Sequence, residues 1–191
     1  MFKKIANFAI LLLFVIPSFA FAGTVQLPQT GQTSTYYGGD DGDLRAGVPW
    51  PDPRFMVSGD CVTDNLTGLM WTKNANMPGG TRNWQGALDY VANTVNSGAG
   101  TCGHSDWRLP NVNELESLVN AEQTNGADWL NGQGFANVQA YWYWSSSTLA
   151  SYTYYAWIIH MKHGYVDYHF KYYLYDEPDS HNYVWPVRAE Q

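Results

Sequence analysis

Basic residues are scarce in this chain: 10 Lys and Arg stand against 17 Asp and Glu in 191 residues. No basic block follows Lys3-Lys4. Without a stripe of cations to neutralise phosphates, a nucleic-acid partner is not expected. Charge of either sign is thin, at 14% of residues, while nine Trp and 14 Tyr are present. That balance describes a folded, aromatic-cored domain and not a disordered tail. Cysteine is limited to Cys61 and Cys102, and they do not form a C-x-x-C spacing, which argues against a redox or nucleophilic thiol. Long apolar runs are also missing. The one candidate, Ile10 to Ile16, is too short to span a bilayer, so no transmembrane anchor is expected. No Gly-x-Ser-x-Gly elbow occurs, which removes one signature of a serine hydrolase.

What the chain does have begins with an address label. Met1-Phe2-Lys3-Lys4 is a basic start, Ile10 to Ile16 an apolar centre and Ala20-Phe21-Ala22 a small-x-small pattern. Together they read as a secretory signal peptide over 1–22. Cleavage near Ala22 would leave 8 basic residues against 17 acidic ones, a net charge of −9, in a secreted, periplasmic or cell-surface protein. No Cys follows that site to take a lipid. In an oxidising compartment Cys61 and Cys102 are expected to bridge, tying a first hairpin to the loop before Asp106.

Residues 23–53 read as an extended N-terminal segment, rich in Gly, Thr, Gln, Pro and Asp. Asp40-Asp41-Gly42-Asp43 lacks the alternating spacing and distal Glu of an EF-hand loop and reads as an acidic turn. Leu27-Pro28-Gln29-Thr30-Gly31 has the letters of a sortase signal, but in the wrong place, with no apolar span and basic tail behind it. Residues 54–191 read as one α+β domain. Val62-Thr63-Asp64 and Leu69-Met70-Trp71 flank an Asn65-Leu66-Thr67-Gly68 turn, a hairpin pattern. Trp84, Ala87, Leu88 and Val91 fall at helical spacing. Asn111 followed by Glu114 is a capping box for a second helix carrying Leu115, Leu118 and Val119. After Gly126 no helical period is visible. The last fifty residues alternate like strands, with a turn at His163-Gly164, and Val184-Trp185-Pro186-Val187 reads as a closing strand whose Pro belongs at an edge or an end.

An ordered series runs through the chain: Val62 to Trp71, Trp84 with Ala87, Asp106-Trp107-Arg108-Leu109-Pro110-Asn111 with Glu114-Leu115, Tyr143-Trp144-Ser145-Ser146, Ala156-Trp157, Gly164-Tyr165-Val166 and Tyr183 to Arg188. The series resembles the Lcl C-terminal-like domain family, and Thr30-Gly31-Gln32-Thr33 with Asp40 to Asp43 is similar to that family's leader. The resemblance implies a C-type-lectin-like fold, with two helices on twisted antiparallel sheets and the N- and C-terminal strands paired. Many members carry Arg where Trp185 stands. The family's founding adhesin is associated with sulfated polysaccharides, a ligand class that a net charge of −9 repels.

Ser145-Ser146-Ser147 reads as hydrogen-bonding a turn. His160 and His163, three apart on a strand, would point to opposite faces and could not share a metal. Glu177-Pro178-Asp179 is similar to the loop of calcium-dependent sugar lectins, but the companion Trp-Asn-Asp signature is absent. Formylglycine-generating enzymes share the implied fold, but their paired catalytic cysteines have no counterpart. No catalytic residue, metal or cofactor is therefore expected. Trp71, Trp84, Trp107, Trp144 and Trp157 read as core. For Trp50, Trp129, Trp142 and Trp185 core and sugar-stacking roles both remain open.

From Tyr152 to Tyr183, Tyr, His, Asp and Asn make up 17 of 32 residues, against 27 of 129 in 23–151. Tyr gives large amphipathic contact area at small entropic cost. Alternation places Trp157, Ile159, Met161, Val166 and Phe170 inward, with His160, Lys162, Tyr165, Asp167 and His169 outward. The candidate ligand-binding set is Tyr152, Tyr154, Tyr155, His160, Lys162, His163, Tyr165, Asp167, Tyr168, His169, Tyr172, Tyr173 and Tyr175. The expected partner is an extracellular protein or glycan, and the alternative is an extracytoplasmic enzyme using the same cleft.

Those four residue types share codons of the form x-A-pyrimidine, so they interconvert by one first-base change. The segment is therefore similar to a variable region of a diversity-generating retroelement, in which adenines are randomised. On that reading the Tyr, His and Asp positions of the candidate set vary, while Trp157, Met161, Lys162, Lys171 and Glu177, outside the permitted codons, are fixed scaffold.

Overall fold

The computed structural model describes residues 27–172 and 180–189. The expected signal peptide, residues 23–26, Tyr173, Tyr175 and the Glu177-Pro178-Asp179 segment lie outside the described residues. Seven strands follow in chain order: Phe55–Ser58 (β1), Cys61–Asp64 (β2), Leu69–Thr72 (β3), Trp142–Thr148 (β4), Tyr155–His160 (β5), Tyr165–Phe170 (β6) and Val187–Ala189 (β7). They form two antiparallel sheets, ordered β1-β2-β3-β7 and β4-β5-β6. The domain is thus α+β. The last strand joins the sheet of the first three, pairing with β3 and not with β1. Pro186 sits just ahead of β7, where a missing N–H does not interrupt the ladder.

The expected hairpin is β2–β3. Asp64 makes its turn: the carboxylate accepts from Leu66 N–H (3.0 Å) and Thr67 Oγ1 (3.1 Å), while Gly68, at φ 68°, supplies the left-handed residue. Arg54 grips the same carboxylate from β1's side. The N-terminal segment is laid along this end of the domain. Pro28 bridges Val48, and Asp40 caps a single helical turn, Asp41–Leu44 (α1), so the acidic turn is a short helix. Glu122 accepts from Thr33 N–H, Ser34 N–H and Ser34 Oγ, and these donors hold its carboxyl down at about 2.

Asn83 caps Trp84–Tyr90 (α2), accepting from Gly86 N–H at 2.7 Å. The helix continues as one π-helical stretch, Val91–Val95, which keeps Val91 and Val95 both buried. Asn96 then exchanges two hydrogen bonds with the Trp107 backbone, at 2.8 and 2.9 Å. Val112–Glu116 (α3) opens on the expected capping box of Asn111 and Glu114. A further helix, Gly126–Gly132 (α4), contradicts the reading of no helix after residue 126. Seven residues with a Gly at each end show too little period to stand out. Asn125 caps it, and only Ala127 and Leu130 give it a buried face. Among the described residues no helix is long and apolar enough to cross a membrane.

Two apolar clusters fill the domain. One packs Phe55, Val62, Trp71, Leu115, Leu118, Tyr143, Ile159 and Trp185, and the other packs Val91, Val95, Trp107, Leu109, Trp144, Ala156, Ile158 and Val184. β5 separates them: Ile159 belongs to the first, Ala156 and Ile158 to the second. A strand covered on both faces reads as a continuous apolar run and not as an alternation. The assignment of only odd positions of β5 to the interior is corrected accordingly.

Cys61 and Cys102 are bonded, joining β2 to the loop that follows the α2 region across 41 positions of sequence. Replacing both by Ala is expected to lower the unfolding free energy by about 3–4 kcal/mol in the chain-entropy description. Urea denaturation of the disulfide-bonded protein and the double variant measures it. A loss below about 1 kcal/mol would mean the loop is constrained without the bond, through Asn96 and Trp107.

Candidate ligand-binding edge

β6 is the edge strand of its sheet, and four of its six residues are exposed. Directly paired residues of an antiparallel ladder point to the same face. The register therefore divides the tyrosine-rich segment into two faces. Tyr155, Trp157, Phe170 and Tyr168 share one, while Ala156, Ile158, His160, His169, Asp167 and Tyr165 share the other.

The first face carries a contiguous strip of rings. Tyr154 stacks on Phe170 (6.2 Å, 12°). Tyr155 meets Phe170 and Tyr168 edge-on at 5.1 and 5.3 Å, and Trp157 meets Tyr168 at 6.1 Å. Tyr152 joins the strip beside Tyr155, and Tyr172 beside Phe170. Tyr152 and Tyr154 are each 63% exposed and Tyr172 52%, while Tyr155, Trp157 and Phe170 are half-buried. Its position is held by Lys171. This buried side chain donates from Nζ to Thr148 Oγ1 (2.7 Å) and Thr153 C=O (3.1 Å), and lies over the Trp84 ring at 4.3 Å. Burial pushes its ammonium pKa down.

The second cluster lies at the hairpin tip. His160 packs edge-on to Trp142 (4.7 Å), His163 stacks on Tyr165 (5.1 Å, 26°), and the two imidazoles are 5.3 Å apart. The expectation that His160 and His163 point apart is thereby corrected. β5 ends at His160, and the turn brings His163 back beside it. Burial lowers the His160 pKa, and the neighbouring charges of His163 and Lys162 act in the same direction. Lys162 is half-buried and donates its backbone N–H to His160 Nδ1 at 3.3 Å. His169 is half-buried between Trp142 and Trp144, and its Nδ1 meets Asn182 Oδ1 at 3.1 Å. Among the described residues no group of three or more His, Cys, Asp and Glu is placed to hold a metal ion.

The expected candidates are therefore split. Tyr152, Tyr154, Tyr155, Tyr168 and Tyr172 come together with Trp157 and Phe170, two residues the alternation pattern had placed inward. Trp157 and Phe170 are half-buried, and Val166, also read as inward, is 39% exposed. Alternation assigns residues to faces but does not report whether another layer covers a face. His160, Lys162, His163 and Tyr165 gather at the tip, and Asp167 is exposed on the same face as His169. Tyr173 and Tyr175 are outside the described residues.

The serine run has structural duties at a β-bulge between Trp144 and Thr148. Ser145 Oγ donates to Trp157 C=O (2.7 Å), Ser146 Oγ to Pro110 C=O (3.2 Å), and Ser147 Oγ accepts from Val112 N–H (3.1 Å). Of the tryptophans left open, Trp185 is wholly buried, while Trp50, Trp129 and Trp142 are half-buried. A groove of about 700 Å³ between the N-terminal segment and α3, lined by Leu27, Pro28, Trp50, Leu66 and Val119, reaches the hairpin only at Gly164.

Comparison with known proteins gives one finding: residues 60–188 match the family model described as the Lcl C-terminal domain. No curated protein matches the chain.

Proposed function

The chain belongs to the Lcl C-terminal domain family, and from that premise we propose that it is an exported binding module of C-type-lectin-like fold, acting as a receptor or adhesin and not as an enzyme. The observation that carries this reading is the ring strip of Tyr152, Tyr154, Tyr155, Trp157, Tyr168, Phe170 and Tyr172. Exposed aromatic rings in a connected row, backed by a disulfide-braced core, offer stacking area for a sugar ring or the apolar side chains of a protein. Their mutual packing limits the rotamer freedom lost on binding, which favours affinity.

A glycan array and a proteomic pull-down with the exported protein identify the ligand. The double variant Tyr154→Ala/Tyr168→Ala is then expected to weaken its binding by about tenfold or more, as for centrally placed aromatic anchors. Unchanged binding would remove the strip from the site. The enzyme alternative has its own test: a broad hydrolase screen of the exported protein and of Tyr165→Ala, Asp167→Ala and His169→Ala. Turnover lost in those variants would overturn the binding-module reading.

The same segment is proposed to be diversified by a retroelement. Tyr152, Tyr154, His163, Tyr165, Asp167, Tyr168 and Tyr172 are exposed, and substitution at such positions leaves a core intact. His169, packed on two Trp rings, tolerates less. The flanking DNA decides this: a near-identical template copy with mismatches at adenines, beside a reverse transcriptase gene, is expected, and its absence would end the proposal.

A further inference from the structure

The outer backbone of β6 can be assigned atom by atom. Lys171 N–H donates to Tyr154 C=O (2.8 Å), and the β5–β6 register makes those positions partners. Counting back by twos along an antiparallel ladder, His169, Asp167 and Tyr165 turn their amides toward β5. Val166, Tyr168 and Phe170 turn theirs outward. Among the described residues no backbone group meets these three, and the Tyr168 N–H is taken by the Asp167 carboxylate at 2.8 Å. The strand Tyr-Val-Asp-Tyr-His-Phe contains no Pro and no bulge, and Asp167 is its one carboxylate. An edge with so few blocking devices is a template for another strand.

We infer that β6 pairs antiparallel with β6 of a second copy of this chain, joining the two three-stranded sheets into one of six strands. A two-fold axis restricts the registers, because outward-facing residues must bond to outward-facing residues. Four registers meet that condition near the strand centre. One sets Asp167 against Asp167 of the second copy, a direct carboxylate opposition that is destabilising. Two shift the pairing past an end of the strand, setting Val166 against Val166 or His169 against His169 of the second copy. The fourth centres on Tyr168, bonds Val166 to Phe170 of the second copy and the reverse, and so uses all three outward residues. It also sets Asp167 opposite His169 of the second copy, about 4.5 Å away between Cα atoms. Tyr168 of each copy stands beside the other, so the two ring strips become continuous.

Sedimentation equilibrium of the exported protein from micromolar to millimolar concentration is expected to show a monomer–dimer equilibrium. Tyr168→Pro deletes an amide that points away from β5, and should weaken the dimer by about tenfold or more while leaving the thermal unfolding transition in place. Tyr168→Ala keeps the amide and should remain dimeric. The register has a separate readout that does not depend on the proline variant folding. Tyr168→Cys brings two identical positions to about 5.5 Å between Cα atoms and should cross-link on air oxidation. Val166→Cys, offset from its own symmetry mate by roughly 13 Å, should not. A protein monomeric throughout that range, or cross-linking no better at 168 than at 166, overturns the inference. So does capture of an extended peptide by a monomer at this edge, which would make the occupant a different chain. Tyr154→Ala separates this from the ligand reading, since it should weaken ligand binding and leave the dimer unchanged.

Discussion

Arg54→Ala is expected to lower the unfolding free energy by about 3–5 kcal/mol, the range for removing one partner of a buried ion pair. Arg54 is 6% exposed and Asp64 wholly buried, and they share two bonds, Nε to Oδ1 at 3.1 Å and Nη2 to Oδ2 at 3.0 Å. The guanidinium also donates to Ser117 C=O and lies 4.2 Å from the Trp50 ring centroid and 4.7 Å from that of Phe55. It therefore ties β1, the β2–β3 turn, the segment after α3 and the N-terminal segment to a single charge. Without Arg54 the Asp64 carboxylate keeps two short-range donors, Leu66 N–H and Thr67 Oγ1, but no cation. The larger part of the loss is that uncompensated charge and not the bond itself. The double variant Arg54→Met/Asp64→Leu should consequently be less destabilised than Arg54→Ala. Urea denaturation of the disulfide-bonded protein and the variants tests both statements. A double variant as unstable as the sum of the two single ones would show that the residues act independently.

That ion pair illustrates which parts of the molecule are readable in advance. Signals confined to a few neighbouring residues survive folding: the Asn65–Gly68 turn, the Asn111/Glu114 capping box and the helix opened by Asn83 all form. They depend on local hydrogen bonds whose donors and acceptors lie within four positions. The Cys pair is legible because two cysteines allow a single pairing. Contacts set by topology are not legible. Nothing local marks Arg54 as the partner of Asp64, or Lys171 as the peg behind the ring strip. The candidate edge shows the same limit: alternation places Trp157, Val166 and Phe170 inward, whereas Trp157 and Phe170 are half-buried and Val166 is exposed. A two-period pattern reports which residues share a face, and it is silent on whether a neighbouring layer covers that face. Ile158 and Ile159 on opposite faces of β5 are wholly buried, whereas four of the six residues of β6 are exposed, and only the tertiary packing reveals this.

Trp185 gives the other large expected effect. Trp185→Ala should cost about 3–5 kcal/mol, the range for emptying a buried aromatic site. The indole is wholly buried, just ahead of β7. Its ring contacts Trp71 at 5.4 Å, Phe135 at 5.0 Å and 90°, and Tyr143 at 5.6 Å. Its Nε1 donates to Thr72 C=O at 2.8 Å. The side chain thus binds the β1-β2-β3-β7 sheet to the first strand of the other sheet, so a void here loosens both. Trp185→Phe keeps most of the apolar volume and gives up the Thr72 bond, and should cost less than the alanine variant. Trp185→Arg introduces the residue implied for many relatives, but it places a guanidinium in a site walled by Trp71, Phe135 and Tyr143. With no carboxylate among those neighbours, the charge is left unpaired and the arginine variant should be at least as unstable as the alanine one. Thermal and urea unfolding of the three variants ranks them. An arginine variant as stable as the parent would mean that this site opens to solvent or that its surroundings rearrange to pair the charge. Its indole would then no longer count as part of the core that supports the aromatic edge.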